Sequence, residues 1–119
     1  MSESETSALL GYLGDAELAV SEVALVEVPR AAYLKTGVPE TIRHAEALLG
    51  RLFLIALDDD LYAEAARVRP AELRSLDAVH LASALRVRAQ IEAAVVYDRR
   101  LGHAAQQAGL RVEAPVLPD

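Results

Sequence analysis

Three acidic residues, Glu27, Asp77 and Asp98, fall in three separate segments of this 119-residue chain, and each borders a run of apolar positions. On a helical repeat Glu27 has Val23, Ala24 and Ala31 one turn away; Asp77 sits midway between Leu73 and Leu81 in LRSLDAVHLASALRV; Asp98 follows AAVVY. Each alone has an ordinary explanation. Glu27 pairs with Arg30, Asp77 complements the positive end of its helix, and Asp98 starts the turn into Arg99 and Arg100. Jointly these explanations do less well, because carboxylates beside buried faces need partners and no matching set of buried-looking lysines or arginines accompanies them. A hard divalent cation would provide the charge: Mg²⁺ prefers oxygen ligands, and beside a phosphodiester a metal ion activates water and neutralises phosphate charge.

Other chemistries are poorly represented. His44, His80 and His103 lack the H-x-x-x-H spacing of a zinc site, and His80, within reach of Asp77 on one helix, reads as a packed structural histidine. The chain has no phosphate-binding G-x-x-x-x-G-K-[ST] loop, no G-x-G-x-x-G, no G-x-S-x-G and no cysteine. Without cysteine there is neither a disulfide framework nor a zinc-thiolate site, as suits a reducing compartment. Twelve basic against eighteen acidic side chains give a formal charge of -6, which excludes a generic polyanion-binding surface. Contact with nucleic acid must then be local, and the arginines do cluster, at Arg67, Arg69 and Arg74 and at Arg99 with Arg100. An apolar fraction of 53% predicts one folded domain over residues 1–119, and MSESETSALL resembles no signal peptide, so a cytoplasmic protein is expected.

The elements that must position the acids follow from spacing. Glu3 to Gly14 carries Leu9, Leu10 and Leu13 at helical intervals and predicts a short helix. Leu18 to Ser21 suits a buried strand, and Glu22 to Lys35 a helix kinked at Pro29. Pro39 opens a further helix to about Gly50. Arg51 to Leu57 predicts a strand buried on both faces, Leu61 to Val68 a short helix, and Leu73 to Val87 a helix capped near Ser75. Ala93 to Tyr97 is a strand, Arg99 to Ala108 a helix closed by Gly109, and Arg111 to Ala114 a last strand. Strands alternating with helices predict a parallel sheet covered on both sides, whose ligands bind beyond the carboxyl ends of the strands; all three acids fall near that rim.

SEVALVEVPRA with Glu27, LRSLDAVHLASAL with Asp77, and VVYDRRLGHAAQQAGLRVEAP with Asp98 resemble, in that order, the PIN-domain ribonucleases, most closely the VapC-type toxins of toxin-antitoxin pairs. The resemblance runs from about Ser4 through nearly the whole chain. It implies a three-layer α/β/α sandwich with a parallel sheet, Mg²⁺ or Mn²⁺ held by an acidic cluster, RNA as substrate, a homodimer, and inhibition by a cognate VapB-type antitoxin. On this resemblance Glu27, Asp77 and Asp98 match the family's second, third and fourth acids, as catalytic metal ligands, with Arg99 and Arg100 as RNA phosphate contacts. The first acid of the family ends a central strand, often as L-D-T-S-A-L. ETSALL, Glu5 to Leu10, looks like that motif, but no apolar strand precedes it, so Glu5 is not counted as a ligand and Met1 to Gly14 is matched to the helix after the strand.

The expectation is therefore an N-terminally shortened PIN-like domain whose first central strand is absent, with a gap between the strands at Leu18 to Ser21 and Ala93 to Tyr97. Three functions compete: a metal-dependent endoribonuclease toxin, a catalytically impaired PIN-like module that binds antitoxin or RNA without cleaving, and a phosphatase-like or other nucleotide-handling α/β domain. Val26, Val28, Tyr33, Leu34, Val38, Ile42, Leu48 and Leu49 exceed what one buried stripe on two helices requires, which predicts an apolar surface for a second copy or an antitoxin.

Overall fold

A computed structural model describes residues 9–14, 17–96 and 98–113. Glu3 to Ala8, Tyr97 and Ala114, which the sequence assigned to element ends, lie outside the described residues. In chain order the elements are β1 (Leu9–Tyr12), β2 (Leu18–Ser21), α1 (Ala24–Lys35), α2 (Pro39–Leu49), β3 (Phe53–Ile55), α3 (Asp59–Ala65), α4 (Ser75–Arg86), β4 (Ala93–Val96), α5 (Arg99–Gln107) and β5 (Val112–Glu113). The sheet order is β3-β2-β1-β4-β5. β2 pairs parallel with β3, and β4 with β5, while β1 runs antiparallel to both its neighbours.

The helix expected over Glu3 to Gly14 is thus corrected at Leu9–Tyr12, and the place expected to stand open at the centre of the sheet is filled by β1. Helical spacing of three leucines is a weak prior for so short a segment. Against it stand the unpaired N–H and C=O groups that β2 and β4 would otherwise turn toward each other, and tertiary pairing wins. Leu9 pairs with Val96 and Tyr12 with Ala93 on one side, and Gly11 with Ala19 on the other. The turn to β2 closes with Leu13 N–H donating to the Glu17 carbonyl at 2.9 Å, and Gly14 takes φ +91° there, a conformation that favours glycine.

Alternation along β1 feeds both faces. Leu9 joins Ala94 and Val96 against Leu81, Ala84, Leu101 and Ala105, the core under α4 and α5. Leu10 packs with Val20, Ala24, Val28 and Leu49 under α1 and α2. Leu61 and Ala65 of α3 pack on Ala78 and Ala82 of α4. The result is the expected α/β/α sandwich, with a mostly parallel sheet rather than a wholly parallel one.

One further expectation changes. β3 is the outer strand, so Arg51 to Leu57 is not buried on both faces: Phe53 is 56% and Leu54 39% exposed. The residue capping α4 is Arg74, next to Ser75 as expected, without a side-chain hydrogen bond. By contrast α3 is capped by Asp58, whose carboxylate accepts from Leu61 N–H at 2.8 Å and binds Arg86 of α4 at 3.0 Å. The Arg86 hydrogen bond, with the Leu61 N–H, holds that carboxyl below its ordinary value of 3.8.

Gly11 shows how tightly the central strand is fitted. A Cβ there would lie 2.7 Å from Cγ2 of Ile91, a β-branched atom with little room to retreat. Gly11→Val is expected to cost about 1–3 kcal/mol of stability through overpacking. Denaturant unfolding should register the loss, and Ile91→Ala in the same chain should recover part of it; a Gly11→Val protein as stable as the parent would show that β1 is loosely held.

Candidate active site

Because β1 is antiparallel to both β2 and β4, those two strands run in the same direction, and their carboxyl ends reach one rim of the sheet. The chain leaves β2 at Ser21, whose hydroxyl accepts from Val23 N–H at 3.2 Å in the turn that starts α1. Glu27 follows in the first turn of α1. Asp98 caps α5 directly after β4, its Oδ1 accepting from Leu101 N–H at 3.1 Å. Asp77 lies in the first turn of α4, where it is only 7% exposed. All three carboxylates therefore sit in or at the amino-terminal turn of a helix, where the positive end of the helix dipole offsets part of the cost of burying charge.

The sequence reading missed the partner of Glu27. His80, one turn beyond Asp77 and 1% exposed, brings Nε2 to 2.5 Å from Oε1 of Glu27. The residue read as packing near Asp77 thus reaches across to α1 instead and ties the two helices that carry two of the three acids. Donation from Nε2–H assigns that proton to Nε2. Among the described residues, the other ring nitrogen, the buried Nδ1, has no hydrogen-bond partner. The signal for this pairing was present only as a histidine on a helix otherwise buried by Ala78, Leu81, Ala82 and Ala84; nothing in the spacing points to a residue 53 positions away.

The donor set suits a hard cation in kind, since all three predicted ligands offer carboxylate oxygens. One oxygen of Glu27 is taken by His80 and one of Asp98 by the Leu101 N–H. In position the set is less complete: among the described residues, no three His, Cys, Asp or Glu side chains stand together as a metal-holding group. Arg99 and Arg100 open α5 on the exposed side of Asp98.

The family model for the PIN domain matches residues 2–107. The chain belongs to the PIN-domain family. Among curated proteins, this PIN domain is similar to Ribonuclease VapC47 of Mycobacterium tuberculosis (strain CDC 1551 / Oshkosh), with 34% identity over 120 residues, covering 97% of this chain and 88% of that protein. It is also similar to Ribonuclease VapC35 of the same strain, at 37% identity over 116 residues, covering 95% of this chain and 86% of the relative. Ribonuclease VapC46 of Mycobacterium tuberculosis (strain ATCC 25618 / H37Rv) is 38% identical over 115 residues, with 95% and 86% covered. No solved structure matches the chain. PIN-domain ribonucleases as a class use divalent metal ions.

The His80–Glu27 contact makes a measurable claim on this PIN domain. His80→Leu strands a largely buried carboxylate, and Glu27→Gln removes the charge that the imidazole N–H addresses. In a double-mutant cycle by urea unfolding the two changes should couple by about 1–3 kcal/mol. Strict additivity would mean that the two side chains do not interact in solution.

Proposed function

We propose that this PIN domain is a metal-dependent endoribonuclease toxin of the VapC type, one domain over residues 1–119, acting in the cytoplasm and held in check by a VapB-type antitoxin. The observation that carries the reading is the PIN match over residues 2–107 together with ribonuclease relatives that align with 95% or more of the chain. In this reading Glu27, Asp77 and Asp98 hold Mg²⁺, or Mn²⁺ in its place, and Arg99 and Arg100 contact RNA phosphates. When bound, the cation supplies an activated water and offsets the charge developing on the phosphate. The protein's part is to present oxygens: His80 keeps Oε1 of Glu27 engaged so that Oε2 points elsewhere, and the cap of α5 does the same for Asp98. Among the described residues no helix is long and apolar enough to cross a membrane, which is compatible with the cytoplasmic assignment.

Asp98→Asn is the sharpest test, because asparagine keeps the helix cap while discarding the charge. RNA cleavage by the purified chain with Mg²⁺ should fall at least about a hundredfold in this variant and vanish with a chelator, as expected where a metal provides the nucleophile. Cleavage that survives both would end the metal reading. The second reading, a module that binds antitoxin or RNA without cleaving, draws on the finding that no three His, Cys, Asp or Glu side chains stand together as a metal-holding group among the described residues; a folded parent inert with Mg²⁺ and Mn²⁺ yet binding RNA would select it.

The partner surface in this proposal is the outer side of α1 and α2. Val26 is 67% exposed, Leu34 60%, Tyr33 56% and Leu48 47%. Apolar groups so displayed favour a covered state, by a second copy about a two-fold axis or by the antitoxin. Light scattering should show a homodimer that Tyr33→Glu and Ile42→Glu dissociate, whereas a monomeric parent, or a dimer indifferent to both charges, would move the interface elsewhere.

A further inference from the structure

Between α5, the end of β4, β5 and the segment that leads into α4 lies a cavity of about 670 Å³. Val96, Val112 and Leu73 give it an apolar lining, and Arg99, Arg100, Glu72 and His103 line it as well. Val96 and Arg99 flank Asp98 in the sequence, while Asp98 itself is not among the residues that line the cavity.

Gly102 is the telling residue. It lies in the interior of α5, donating its N–H to the Asp98 carbonyl at 2.9 Å, and takes no positive φ. Glycine weakens a helix interior relative to alanine, so a reason is needed. Crowding is not that reason: a Cβ at Gly102 would meet only Val112 Cγ1 at 3.8 Å and Val96 Cβ at 3.9 Å, ordinary van der Waals contacts. A methyl group would fit there, and a larger side chain would take up space in the cavity that Gly102 lines.

We propose that this cavity receives one nucleotide of single-stranded RNA, its base lying beside Gly102 against Val96 and Val112 and its phosphate facing Arg99 and Arg100. The volume is within the range of small-molecule sites, and an apolar slot with a cationic edge matches the two halves of a nucleotide. Charge complementarity favours this place over most of the surface, because the chain as a whole carries -6 while two arginines, Arg99 and Arg100, line the cavity against one acid, Glu72. Unpaired bases are the form of RNA that such a slot accepts, since a base inside a duplex is stacked and out of reach. The proposal rests on the nuclease reading only for naming the ligand as RNA.

The test uses the whole chain and two probes, adenosine 5′-monophosphate and a short labelled single-stranded oligoribonucleotide. In amide NMR spectra the mononucleotide should shift Val96, Gly102 and Val112. In fluorescence anisotropy Gly102→Leu should weaken oligoribonucleotide binding about tenfold, and Arg100→Ala by a similar factor that shrinks at high salt. Gly102→Ala should melt at or above the parent temperature while binding less well, a combination that a purely structural glycine would not produce. Shifts confined to other regions, or a folded Gly102→Leu protein that binds the oligoribonucleotide as the parent does, would overturn the proposal. If Gly102→Leu fails to fold, the mononucleotide shifts on the parent decide. Shifts at the cavity in a chain that cleaves no RNA would leave the nucleotide site standing and the nuclease reading fallen; unimpaired cleavage and binding by Gly102→Leu would do the reverse.

Discussion

β2 and β4 run side by side in the same direction, and the backbone groups each turns toward the other must be paired by something. Leu9–Tyr12 does this for both strands, with antiparallel ladders on either flank. Much of the molecule depends on that double pairing. Its register levels the carboxyl ends of β2 and β4, so the turns into α1 and α5 open at one rim. Its alternation sends Leu9 into one core and Leu10 into the other, so a four-residue strand anchors both helical layers. Gly11 is small because Ile91 already occupies the space above it.

Most elements were legible because their signals are local. β2, α1, α2, α4, β4 and α5 appear within a few residues of where periodicity, Pro39 and Gly109 place them. Gly109 takes φ +98° after α5, where Leu110 N–H donates back to the Ala105 carbonyl at 3.0 Å, so the stop signal has a geometric cause. What failed was non-local. Whether Leu9–Tyr12 coils or extends is decided by strands that lie on both sides of it, and whether RLFLIAL is inside or at the edge is decided by its place in the strand order. Neither fact is written in the segment itself.

The same division runs through the candidate site. Glu27, Asp77 and Asp98 could be selected from the sequence because each interrupts an apolar pattern, a feature visible within one turn. Their partners could not. Asp98 binds a main-chain N–H three residues on, which cap rules suggest, but the partner of Glu27 lies on a helix from the far half of the chain. Gly102 escaped notice for a different reason. A glycine within a helix reads as a small defect until the volume above it is known, and only then does its lack of a side chain acquire a use.

Preorganisation is where these observations meet. Among the described residues α4 has more buried positions than any other helix, from Asp77 to Ala84 with only Val79 half-buried between them. His80 projects from it and engages one oxygen of Glu27, so the remaining oxygen of that carboxylate has a restricted set of directions. The α5 cap restricts Asp98 in the same manner. A carboxylate held by one oxygen loses less rotamer freedom when its second oxygen takes a ligand, which lowers the entropic cost of assembling a site from separate helices. The apolar side of α1 and α2 obeys the opposite logic: Val26, Tyr33 and Leu34 are exposed and acquire fixed surroundings only when something covers them. α1 therefore links the two, with Glu27 held at its first turn by α4 and its outer side open to a partner, so that covering α1 and positioning Glu27 act on a single helix.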